Sequence, residues 1–143
     1  MQRDTLSRDE IDRIEAKIAA AEQLTSAELR VVVTRSTWLG IKTKARSIFQ
    51  KYQLDKTTER NAVLLLIDFR DHEVLVYGDE GVNSRVGQEF WNEVRDAMVE
   101  EFRAGKLADG LSLGIRMVGE KLSQLYPPKA SDVDEISNAL IFD

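Results

Sequence analysis

Arg60-Asn61-Ala62-Val63-Leu64-Leu65-Leu66-Ile67-Asp68, followed after a turn by Val74-Leu75-Val76-Tyr77-Gly78-Asp79-Glu80-Gly81-Val82, decides how the rest of this chain folds. The pair reads as a buried strand, a tight reversal and a second strand that ends in an acidic loop. In that loop, Gly78-Asp79-Glu80-Gly81, two glycines let the backbone turn sharply and approach a ligand closely, so function is sought there first.

Upstream, Ala27-Glu28-Leu29-Arg30-Val31-Val32-Val33-Thr34 is rich in β-branched residues and predicts a strand. Between the two strands Ile41, Ala45, Ile48, Phe49 and Tyr52 recur at helical spacing. Ahead of both, Ser7 with Glu10 matches a capping box, and Ile11, Ile14, Ile18 and Ala21 continue it as a helix over Ser7 to Gln23. Downstream, Val86, Phe90, Val94, Met98 and Phe102 predict a long helix that stops at Gly105. Leu107, Leu111, Ile115, Val118, Leu122 and Leu125 predict a last helix, closed by Pro127-Pro128. Gly110, Gly114 and Gly119 lie inside it, and each costs about 1 kcal/mol of helix propensity relative to alanine. Close packing against another helix explains them better than a ligand contact. Residues 1–128 are expected to form one domain, and 129–143 a tail able to dock without forming a second.

The order helix, strand, helix, strand, strand, helix, helix implies an α/β fold, a three-layer α/β/α sandwich with a small mixed sheet. A helical crossover makes the first two strands parallel, and a short turn makes the third antiparallel. The starts of the first two strands and the end of the third therefore share one sheet edge. That edge gathers Glu28, Arg60, Asn61, Asp79 and Glu80, and Glu28, Asn61, Asp79 and Glu80 form a candidate oxygen-ligand set for a hard cation, calcium or magnesium. A structural alternative stands beside it: Asp79 caps the next helix, Glu80 sits in its first turn, and Glu28 pairs with Arg30 or Arg60. The opposite edge, with Thr34, Ser36, Asp68 and Asp71, is the second choice, because open α/β sheets more often place ligands beyond the carboxyl ends of their parallel strands.

Composition narrows the function classes. A net charge of −5 over 143 residues, without a basic stripe, argues against nucleic acid as partner. The absence of cysteine excludes disulfides and thiolate sites. The longest apolar run, Ala62 to Ile67, is too short to cross a bilayer, and the amino terminus lacks a signal-peptide core, so a cytoplasmic chain is expected. The single histidine, His72, falls in the reversal between two strands, where a turn role outweighs catalysis, and Gly78-Asp79-Glu80-Gly81 lacks the Gly-Lys-Ser/Thr of a phosphate loop. Phe90 and Trp91 read as core rather than as a cofactor box.

At this point a family resemblance becomes specific. Ser26-Ala27-Glu28-Leu29-Arg30-Val31-Val32-Val33, Arg60-Asn61-Ala62-Val63-Leu64, Tyr77-Gly78-Asp79-Glu80-Gly81-Val82, Val86-Gly87-Gln88-Glu89-Phe90-Trp91 and Phe102-Arg103-Ala104-Gly105-Lys106 through Gly110-Leu111 occur in this order. Together, over Ser7 to Pro127, they resemble the TPM-domain family, also called the TPM phosphatase family, and within it the short cytoplasmic bacterial branch. The resemblance implies an α/β/α sandwich, divalent-cation binding, and acid phosphatase activity of the kind reported for a plant thylakoid-lumen member. Glu28 and Asp79 match the pattern of the branch. The family's usual Arg-Asn-Gly is Arg60-Asn61-Ala62 here, which departs from it where glycine would permit a close approach.

Two functional readings follow. One is a regulatory or interaction module that binds a divalent cation, calcium by preference, acts as a monomer and meets an unidentified protein partner. The other is a metal-assisted phosphomonoester hydrolase built on the same carboxylates. The first is preferred, because apart from Arg60 no cationic group is aimed at a phosphate and no general base of adjustable pKa is present.

Overall fold

Val63–Asp68 (β2) is buried along its whole length, which requires neighbours on both edges and layers on both faces. The structure, a computed structural model, describes residues 6–35, 37–129 and 139–143. Leu29–Thr34 (β1) pairs with β2 in parallel from Leu29↔Val63 to Thr34↔Asp68. Glu73–Gly78 (β3) pairs with β2 antiparallel from Asp68↔Glu73 to Val63↔Gly78. The sequence predicts three strands; the structure adds a fourth, Ile141–Phe142 (β4), parallel to β1, and the sheet order is β3-β2-β1-β4. Two residues are too few to leave a period-two signal, so this strand is invisible to patterning.

Alternation along the strands divides the core into two. Val31, Val33, Leu65, Ile67, Val74 and Val76 face Arg8–Gln23 (α1), Gln88–Arg103 (α4) and Leu107–Leu125 (α5). Val32, Leu64 and Leu66 face Ile41–Lys51 (α2) and the 3-10 turn Leu54–Lys56. These are the three layers expected.

Local chemistry fixes the helix ends. Ser7 Oγ accepts the Glu10 N–H at 3.1 Å while Glu10 Oε1 accepts the Ser7 N–H at 2.8 Å, so the capping box forms. The expected long helix starts later than Val86: a single turn, Glu80–Asn83 (α3), comes first, and α4 begins at Gln88 with Gly87 as its cap. It ends where the sequence indicates. Gly105 takes φ +79°, its N–H donates to the Phe102 carbonyl, and the Lys106 N–H donates to the Glu101 carbonyl, the Schellman pattern.

Gly110 and Gly114 of α5 lie against α4, where an added Cβ would strike the Phe102 ring and the Met98 thioether respectively. Gly110→Ala is expected to lower stability by about 2 kcal/mol, the usual cost of overpacking a filled core. Gly114→Ala should cost less, since the Met98 chain can swing aside and alanine restores about 1 kcal/mol of helix propensity. Urea denaturation of both variants tests that order.

Candidate functional site

The edge singled out by the acidic loop proves to be a clasp of ion pairs. Arg60, in left-handed backbone at φ +52°, reaches Asp79 with two bonds, Nε to Oδ2 at 2.6 Å and Nη2 to Oδ1 at 2.8 Å. Its Nη1 adds Glu80 Oε1 at 3.3 Å. Asp79 Oδ1 also accepts the Glu80 N–H at 2.8 Å, which makes Asp79 the cap of α3. The backbone closes the same clasp: the Asp79 N–H donates to the Ala62 carbonyl, the Val82 N–H donates to the Arg60 carbonyl, and Gly81 lies so close to the Glu59 and Arg60 carbonyls that no Cβ fits. Asp79, chiefly through its hydrogen bonds, holds the guanidinium of Arg60 above its ordinary pKa.

Glu28 does not join this group. It pairs with Arg30 at 3.5 Å, and each side chain is 12% exposed. Burial pushes its carboxyl pKa up, and the charge and hydrogen bond of Arg30 pull back only part of the shift. Asn61 is buried, its N–H donating to the Thr57 hydroxyl at 3.1 Å. Among the described residues, Glu28, Asp79 and Glu80 form no triad of ligand atoms in mutual reach.

The opposite edge does hold such a triad. β2 ends at Asp68, fully buried, and the chain reverses through a tight turn in which His72 takes φ +53°. Asp68 Oδ1 accepts the N–H groups of Arg70 at 2.9 Å and Asp71 at 3.3 Å, closing an Asx turn. The antiparallel register sets Glu73 directly across from Asp68. The β1–α2 crossover delivers Thr37, whose hydroxyl lies 3.0 Å from Asp68 Oδ2 and 3.2 Å from Glu73 Oε1. Ligand oxygens of Asp68, Asp71 and Glu73 all fall within 4.8 Å of one another. That is inside the roughly 5 Å two oxygens span across one calcium ion. Beside Glu73 opens a cavity of about 540 Å³, walled by His72 and Val74 and by Arg95, Asp96, Val99, Glu100 and Arg103 of α4.

Of the second-choice residues, Asp68 and Asp71 belong to this triad, Thr34 is buried at the end of β1, and Ser36 lies outside the described residues. Glu73 and Thr37 were not singled out from the sequence. Glu73 was recoverable from the hairpin register, since a four-residue reversal after Asp68 must pair it with the fifth residue on. Thr37 carries no pattern of its own; only the crossover brings it near.

Two measurements test this edge, one at the clasp and one at Glu28. Asp79→Ala removes both the cap and the acceptor of Arg60 and should cost about 2 to 3 kcal/mol, while Asp79→Asn keeps a capping oxygen and should cost less. A raised acid binds its proton more tightly in the folded state, so the stability it contributes at low pH is lost as pH rises through the raised value. Glu28→Gln should therefore gain stability relative to the native chain as pH rises through the mildly acidic range, read as the difference between their melting curves.

Comparison with known proteins agrees with the architecture. The TPM domain model matches residues 1–121. The NMR structure of BA42 protein from the psychrophilic bacterium Bizionia argentinensis is similar, at 31% identity and a TM-score of 0.89, over 97% of this chain and 96% of that one. The N-terminal domain of a P. gingivalis protein, at 20% identity and TM-score 0.66, aligns over 85% of this chain and 78% of its own. The N-terminal domain of cg2496 from Corynebacterium glutamicum, at 15% identity and TM-score 0.60, aligns over 92% and 84%. These last two likenesses speak to the fold alone. A search of curated proteins finds no match. With most of its length matched by the domain model and a near-complete structural relative, the chain belongs to the TPM-domain family.

Proposed function

We propose that this chain is a divalent-cation-binding module, taking calcium through Asp68, Asp71 and Glu73 with the Thr37 hydroxyl as a further oxygen. One observation carries the reading: among the described residues these are the carboxylates whose ligand atoms lie in mutual reach, whereas those of the other edge are engaged by Arg60 and Arg30. Three acids crowded at one strand end repel each other, and a cation relieves that repulsion. Ligands carried on a turn and a crossover loop suit calcium, which accepts irregular oxygen geometry, better than magnesium, which demands a near-ideal octahedron. No helix among the described residues is long and apolar enough to cross a membrane. The finer reading is a cytoplasmic, monomeric module whose cation regulates contact with a partner.

A metal-assisted phosphomonoester hydrolase is the second reading, favoured by the cavity beside Glu73, where His72, Arg95 and Arg103 stand next to the triad. Asp96 and Glu100 in the same wall weigh against it, since they oppose an incoming anion.

NMR titration with calcium and with magnesium discriminates among the sites. Calcium is expected to shift the amides of Thr37 and of residues 68–73 and to leave Arg60, Asn61 and residues 78–82 near their free positions; the reverse pattern assigns the ion to Glu28, Asn61, Asp79 and Glu80. Binding confined to the folded state should raise stability by about 2.7 kcal/mol at a hundredfold excess over Kd. Asp68→Asn should abolish both effects. Phosphatase activity on a generic phosphomonoester that disappears in Asp68→Asn would turn the assignment to the hydrolase.

A further inference from the structure

Adjacent large apolar side chains at the surface are more informative than single ones, and among the described residues the one such exposed pair is Trp38-Leu39, at 86% and 67% exposure, in the loop from β1 to α2. The other tryptophan behaves as expected of the residue: Trp91 is buried, with its indole N–H donating to Asn83 Oδ1 at 2.8 Å. The exposed pair is not on a loose tip. Thr37, just before it, is bonded toward both Asp68 and Glu73, and Gly40, just after it, takes φ +99° to begin α2.

Charge distinguishes the same segment from the rest of the molecule and corrects the expectation that the chain has no basic stripe. Residues 35–51 contain Arg35, Lys42, Lys44, Arg46 and Lys51 and no acid. The whole chain carries −5, so with +5 on this segment the remaining residues carry −10. α2 buries Ala45, Ile48 and Phe49 on the sheet and turns Lys42, Thr43, Arg46, Ser47 and Gln50 outward. Lys44 and Lys51 share the Asp143 carboxylate, at 3.4 and 3.7 Å, whereas Arg35, Lys42 and Arg46 make no ion pair among the described residues. An aromatic-aliphatic pair joined to a basic amphipathic helix on an otherwise acidic protein is the chemistry of an interfacial anchor.

We infer that the Trp38-Leu39 loop and the outer face of α2 dock on an anionic lipid surface, with the indole and leucine seated at the headgroup boundary and Arg35, Lys42 and Arg46 over lipid phosphates and carboxylates. Tryptophan favours that boundary because its ring is apolar and its N–H keeps a polar partner there. The acids elsewhere on the chain are repelled by such a membrane, which selects this one face for contact. The Asp68, Asp71 and Glu73 triad lies at the same end of the sheet. Calcium there would remove local repulsion and strengthen docking, and only this enhancement rests on the proposed cation site.

The test uses the whole chain with vesicles of phosphatidylcholine alone and of phosphatidylcholine with phosphatidylserine, in calcium and in chelator, followed by co-sedimentation and tryptophan emission. Binding to the serine-containing vesicles alone is expected, with a blue shift from Trp38 and weakening by salt. The double variant Trp38→Ala/Leu39→Ala should lose that binding while keeping its melting temperature and its calcium-induced amide shifts. Lys42→Glu/Arg46→Glu should weaken binding by more than twenty-fold, on the basis of roughly fivefold for each basic residue lost near an anionic surface. No binding to serine-containing vesicles in either condition overturns the inference, as does undiminished binding by the Trp38/Leu39 variant, or capture of polyglutamate in place of vesicles. Serine-dependent binding that is equal in calcium and chelator supports the surface and counts against the cation site instead.

Discussion

Everything in this fold is arranged around a strand that touches no water. β2 lies between β1 and β3 in the sheet and between two helical layers, and its five apolar residues, Val63 to Ile67, are all at 0% exposure. Burying each such side chain contributes about 1.5 to 3 kcal/mol, and a one-residue slip would exchange one core for the other. Register is thereby pinned on both sides at once. The price is paid at the strand's ends, where a fully buried backbone must return to the surface and its polar neighbours must all be satisfied.

The two ends are resolved by opposite electrostatics. At the amino end Arg60 enters in left-handed backbone and neutralises Asp79 and Glu80, so the chain is closed there by a cation of its own. At the carboxyl end Asp68 is equally buried, but its partners are neutral: two backbone N–H groups and a threonine hydroxyl. No arginine or lysine pairs with Asp68, Asp71 or Glu73 among the described residues; Asp68 is buried, while Asp71 and Glu73 are open to solvent. Thr37, bonded toward Asp68 and Glu73, joins that end of the sheet to the loop bearing Trp38 and Leu39.

Much of this was legible in the sequence because it follows from short-range rules. The capping box at Ser7 and Glu10, the stop at Gly105 and the parallel-then-antiparallel order of β1, β2 and β3 all depend on local chemistry or on chain length. The small residues of α5 likewise read as packing, and Met98 and Phe102 fill the space they leave. What escaped depended on long-range geometry. Topology correctly brought Arg60, Asp79 and Glu80 to one edge, yet convergence alone does not reveal that a neighbouring arginine will satisfy the acids. Glu28, adjacent in the sheet with its carbonyl accepting the Val63 N–H, is the exception: its pairing with Arg30 is one of the two partners the sequence offered. Thr37 and β4 arrive from other parts of the chain without any periodic trace.

The pairing registers also imply an order of assembly. The β2–β3 hairpin joins Asp68 to Glu73 and ends with Val63 across from Gly78, so its loops are short and cheap to close. β1 must be drawn in across the crossover, pairing Leu29 with Val63, and β4 comes from further still, pairing Ile141 with Val32. Loop closure is spent before such contacts repay it, which makes the hairpin the natural nucleus and the outermost strand the last to dock. Until β1 arrives, one whole edge of the most apolar strand in the molecule stands open. The interval between hairpin formation and crossover docking is therefore when this chain is most exposed to pairing with a neighbour.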